Sequence, residues 1–243
     1  MAPDRVWPLR WRGHVFQSPD DLVRQALDDA RARRGDDPVD ERPNAWLRDL
    51  TRDVPTAVPV VERVFREFLA DANAEVVNDG ILGVEYVPTP SLWSALAEAA
   101  LRGWPGPLGA KLQRRAIDAL AWRSGWVGAN RDTARKLLAT LDGGGPSDTA
   151  SAVAIAMAVE PTDAWLERIR TRVDDGALDG GTFASLAATA LVEHTAAFPR
   201  MAALAQGLPA PQRRIVLDML LPFGGPRRQW SDAELATLLG VSS

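Results

Sequence analysis

Eight cationic side chains fall between residues 102 and 136, against two acids, Asp118 and Asp132. The cations are Arg102, Lys111, Arg114, Arg115, Arg123, Arg131, Arg135 and Lys136, and Trp104, Trp122 and Trp126 stand among them. Residues 54–90 show the opposite balance, two Arg against six acids. Arginine offers a planar fork of donors to carboxylate or phosphate, and tryptophan adds a large, rigid contact surface. This pairing suits recognition of an anionic surface. At 100° per residue, a helix over 109–124 gathers Ala116, Ile117 and Leu120 on one side. Lys111, Arg114, Arg115, Asp118 and Trp122 gather on the other. A helix over 131–141 buries Ala134, Leu137, Leu138 and Leu141 and turns Arg131, Arg135 and Lys136 outward. Packed antiparallel, the two helices would present adjoining cationic faces. The bland alternative is a solvated face with Trp122 packed under a neighbouring element.

Other candidate chemistry is sparse. The chain has two histidines, His14 and His194, and no cysteine. Disulfides, cysteine nucleophiles and thiolate or multi-histidine metal sites are excluded. His194 closes the apolar stripe Phe183, Leu186, Ala187, Ala190, Leu191. That position suits a core-edge histidine; a general base would need a partner that the sequence does not identify. Acidic pairs recur at Asp20-Asp21, Asp28-Asp29 and Asp36-Asp37, but the first sits at a helix start, where acids complement the dipole. Gly143-Gly144-Gly145 precedes a helix start and reads as a linker rather than a phosphate cradle. No nucleotide-binding glycine motif, zinc-protease motif or serine-hydrolase elbow is present. No metal or cofactor is expected.

The elements that position these residues are helical. The chain has 243 residues, 46% of them hydrophobic and 25% charged, with a net charge of −4. Non-specific binding of nucleic acid by the whole chain is disfavoured. No apolar run approaches the length of a membrane span, about 20 residues, and a cytoplasmic protein is expected. Residues 1–53 read as a charged arm with surface helices: an extended stretch over 6–16, a helix opened by Ser18-Pro19-Asp20-Asp21 and running to Arg34, and a short one capped by Asn44. Residues 54–243 form the main domain. Pro59 opens a helix with a wide apolar face. The stretch 74–87 has two readings, a hairpin turned at Asn78-Asp79-Gly80 or a helix reaching Val77. Thereafter glycine and proline punctuate helices at 91–102, 109–124, 131–141, 148–159, 162–173, 182–198, 200–206, 210–221 and 232–239. Ser231 and Glu234 form a capping box with Trp230 as staple against Leu235. The stretch 151–159 lacks charge and should be buried on most sides.

The fold class is therefore all-α. Helix pairs recur every 35–40 residues, which suits an irregular, HEAT-like α-solenoid; a compact helical bundle is the alternative, with one short β-hairpin near 74–87. The function this favours is a non-catalytic helical binding protein: an adaptor, regulator or neutralising partner of another macromolecule. Its surface would comprise Lys111, Arg114, Arg115, Trp122, Arg131, Arg135 and Lys136, and its partner an acidic protein surface or a phosphate-bearing ligand. An enzyme or small-molecule binder with an aromatic pocket, and a nucleic-acid-binding module, are the alternatives.

Overall fold

A computed structural model describes residues 8–11, 13–18, 20–22, 24–25, 52, 54–87, 89–142, 149–223 and 229–241. The expected helices over 26–34 and after Asn44, the pairs Asp28-Asp29 and Asp36-Asp37, and the Gly143–Gly145 linker lie outside these residues. The described structure is all-α apart from one two-stranded antiparallel hairpin. The chain divides into two compact units, residues 1–120 and 121–243.

In the first unit the hairpin pairs β1, Leu9–Trp11, with β2, His14–Phe16. Leu9 lies opposite Phe16, and Gly13, at φ +87°, turns the chain between them. Ser18 caps the helical residues that follow, accepting from the Asp21 N–H at 3.1 Å. Helix α1 is Val58–Leu69, α2 Ala74–Tyr86, α3 Pro90–Arg102 and α4 Gly109–Ala121. The hairpin thus lies at 9–16. The segment 74–87, read as a hairpin or as the end of a helix reaching Val77, is instead the helix α2, capped by Asn73 through its Glu75 N–H bond at 2.9 Å. Its glycines serve close packing, not a turn. A Cβ on Gly83 would lie 2.0 Å from the Phe65 ring, and one on Gly80 would lie 3.0 Å from Phe68 Cβ. These glycines sit three residues apart, so one face of α2 is nearly bare backbone, and α1 packs directly against it.

The second unit contains α5 Ser124–Ala129, α6 Arg131–Asp142, α7 Thr149–Val159, α8 Thr162–Asp174 and α9 Gly180–Glu193. It continues with α10 Phe198–Leu204, α11 Ala210–Leu220 and α12 Asp232–Leu238. Residues 125–130, expected as a break, belong largely to α5. The expected helix 182–198 stops at Glu193, because His194 leaves the helix at φ −129°, ψ 47°. Pro199 falls in the first turn of α10, the one place where a missing N–H costs no hydrogen bond.

Packing follows a pattern of neighbour and next-but-one. Helix α5 packs on α7, α7 on α9 and α9 on α11, while α8 packs on α10 and α10 on α12. The α7 helix also meets α6 and α8, and Val153, Ile155, Ala156 and Met157 are buried there. Along the second file ion pairs join α6, α8 and α10. Arg168 on α8 holds Asp142 of α6 at 2.9 Å and Glu160 at 2.8 Å. Arg200 on α10 meets Asp163 of α8 at 2.7 Å. The Arg168 guanidinium is pushed above its ordinary range, first by its hydrogen bonds to Glu160 and then by those to Asp142. The capping box of α12 forms as expected, and the Trp230 ring lies 4.7 Å from that of Phe198. Among the described residues, no helix is long and apolar enough to cross a membrane.

Candidate binding groove

The apolar face of α4 fixes where its charges go. Leu112, Ala116, Ile117 and Leu120 are buried, so the opposite face must turn outward. Three side-chain bonds lock the region. The Trp104 indole donates to the Leu69 carbonyl at 3.0 Å, the Gln113 amide donates to the Ala100 carbonyl at 2.7 Å, and Arg115 donates to Asn78 Oδ1 at 2.5 Å. Gly109 lies hard against the Trp104 carbonyl, where any Cβ would collide at 1.9 Å.

Between α2 and α4 lies an open groove of about 790 Å³. Lys111, Leu112, Arg114, Arg115 and Asp118 line it from α4, Leu108 lines it just before that helix, and Ala74, Glu75 and Asn78 line it from α2. Leu112 is buried at its base; Leu108 is 49% exposed at its edge. The cations differ in what they can do. Arg115 is tied to Asn78, and the Arg114 guanidinium lies 4.0 Å from the Asp118 carboxylate one turn on. Lys111 is exposed.

The residues expected to make one surface belong to both units. Lys111, Arg114 and Arg115 line the groove in the first unit. Arg131, Arg135 and Lys136 are exposed on α6 in the second unit, with Arg131 donating to the Val159 carbonyl at 3.4 Å and Arg135 paired with Asp132 at 2.9 Å. Trp122 is in neither group. It is 42% exposed and borders a cavity of about 40 Å³ with Ala121, Met157 and His194. That volume admits a water or two and no organic substrate.

His194 is part of the local architecture. Its N–H donates to the Ala190 carbonyl at 3.0 Å, and its own carbonyl accepts from the Ala197 N–H at 2.8 Å. Its ring lies 5.5 Å from that of Trp165. No group of three or more His, Asp or Glu side chains is placed to hold a metal ion among the described residues.

Sequence reasoning missed the second wall. Asn78 stands in a run that reads as a turn, which conceals its place on the half-buried flank of a helix. Glu75 carried a signal, an acid two residues after the capping Asn73. Comparison with protein-family models, with curated proteins and with solved structures finds no significant match.

Proposed function

We propose that the chain is a non-catalytic helical binding protein that takes an acidic segment of a partner protein into the groove between α2 and α4. The observation that supports this is the pairing, at the start of α4 and just before it, of apolar Leu108 and Leu112 with Lys111 and Arg114. Apolar area supplies affinity, and the cations select and steer an acidic partner. A compact phosphate needs donors that converge. Here Arg115 is committed to Asn78 and Arg114 neighbours Asp118, which favours an extended peptide over a single anion.

The second unit supports the same class of function. Its two files of helices, with pairs beginning at 124, 149, 180 and 210, suit a short α-solenoid. The period is shorter than the 35–40 residues expected. Stacks of this kind build extended binding surfaces from helix faces.

The test uses a fluorescent peptide alternating Glu and Leu as probe, titrated with the full chain at two salt concentrations. Lys111→Ala/Arg114→Ala should weaken binding by about tenfold and flatten its salt dependence, while Arg131→Ala/Arg135→Ala should leave both unchanged. Equal binding by the groove variant would overturn the assignment. Displacement of the peptide by low inorganic pyrophosphate would assign the groove to a phosphate ligand instead.

A further inference from the structure

Helix α11 buries Val216, Leu217 and Leu220 and leaves large apolar side chains outside. Ile215 is 46% exposed and Met219 40% exposed, one turn apart on the same face. Phe223, in the turn that closes the helix, is 45% exposed. Single exposed apolar residues are ordinary; three at one helix end, two of them stacked at i and i+4, call for a cover. A charged pair runs beside them. Arg214 and Asp218 are joined across one turn, Nε to Oδ1, at 3.1 Å, and both are more than half exposed.

We infer that this face of α11 is a self-association surface, and that its occupant is α11 of a second copy of this chain, running antiparallel. The charge pattern selects that occupant. A two-fold axis across the helix at the level of residues 216–217 brings the same flank of both copies together. Arg214 of each copy then lies beside Asp218 of the other, and Ile215 and Met219 of each lie over Met219 and Ile215 of its mate. A parallel two-fold pairing would carry the Arg214–Asp218 flanks to opposite sides of the seam, where neither residue meets its counterpart. The pattern is thus complementary to itself in one orientation only. This assignment is independent of the groove between α2 and α4.

The experiment is sedimentation equilibrium of the full chain from micromolar to millimolar concentration, with far-UV circular dichroism to confirm that each variant is folded. The wild-type chain should reach a dimer mass. Met219→Glu places a charge in the apolar contact at a site already exposed in the single chain, so the fold should hold while self-association weakens by about tenfold or more. Arg214→Glu alone and Asp218→Arg alone should each weaken it. The double variant Arg214→Glu/Asp218→Arg reverses both signs and should restore it. A monomer throughout the range would overturn the inference, as would a dimer indifferent to Met219→Glu. Failure of the double variant to recover would overturn the antiparallel pairing.

Discussion

Gly83 is where the packing of the first unit is most sharply testable. Replacing it by alanine places a methyl group 2.0 Å from Phe65 Cε1, 2.3 Å from Cζ and 2.4 Å from Cδ1. Ordinary carbon contacts begin near 3.5 Å, so the ring or the helix must move by about 1 Å or more. Phe65 is fully buried, which leaves its ring no open space. Overpacking of this kind costs about 1–3 kcal/mol. Alanine in a helix interior returns up to about 1 kcal/mol relative to glycine. The net should be a loss of about 1–2 kcal/mol, read as a lower urea midpoint at constant slope. Gly128→Ala is the control, because Gly128 lies in α5 with nothing within 4 Å of its added Cβ. It should be neutral or stabilising. Phe65→Leu should relieve part of the collision, so Gly83→Ala and Phe65→Leu should couple by more than about 0.5 kcal/mol. If Gly83→Ala behaves like Gly128→Ala, or the pair is additive, α1 and α2 do not meet as described.

Ile155→Asp should lower the thermal midpoint by the equivalent of several kcal/mol, because Ile155 is 1% exposed on α7 and an unpaired carboxylate has no partner there; scanning calorimetry reads it directly. Arg168→Met should cost about 1–3 kcal/mol by leaving Asp142 and Glu160 facing each other unneutralised, and adding Glu160→Gln should recover part of that loss in urea denaturation. Asp179 caps α9 by accepting from the Thr182 N–H at 2.7 Å, and that bond holds its carboxyl below the usual carboxylate range. A depressed folded-state value means that the cap's contribution is present above the unfolded value and lost as pH falls through the folded one. Asp179→Ala should cost about 1 kcal/mol at neutral pH, and its deficit should shrink below about pH 4, as melting curves across acid pH would record.

Amphipathic faces were legible in the sequence, and partnerships between faces were not. The buried residues of α4 and α6 follow from helical spacing alone, because burial of Ile117 or Leu137 needs only some apolar neighbour. That Lys111 and Arg114 border a groove depends on α2, and α2 was obscured by its own composition. Asn78-Asp79-Gly80 has the residues of a tight turn. In the fold, Gly80 is selected by the approach of Leu69 and Phe68, a contact carried by residues more than ten positions away. Local propensity cannot register such a requirement. The helix end at Glu193 escaped for a similar reason: no proline or glycine marks it, and His194 still donates to the Ala190 carbonyl as a helical residue would while its backbone turns away at φ −129°, ψ 47°.

The second unit separates its interactions by file, and the sequence explains why it can. Helix α7 has no charged side chain and α9 has only Glu193 at its last position, so neither can be joined to its neighbours by ion pairs. Their contacts are set by small residues. A Cβ on Gly180 would meet the Gln212 carbonyl at 2.6 Å, which brings the start of α9 against the start of α11. Helices α8 and α10 carry the arginines instead; the links of Arg168 to Asp142 and Glu160 are half-exposed, and that of Arg200 to Asp163 is exposed. Half-exposed pairs contribute modestly to stability, yet they fix spacing because a bidentate arginine tolerates little rotation. Both files bury apolar side chains, Trp165, Ile169 and Phe198 in the second among them; what the second file adds is the ion pairs that tie Arg168 and Arg200 to the helices before them.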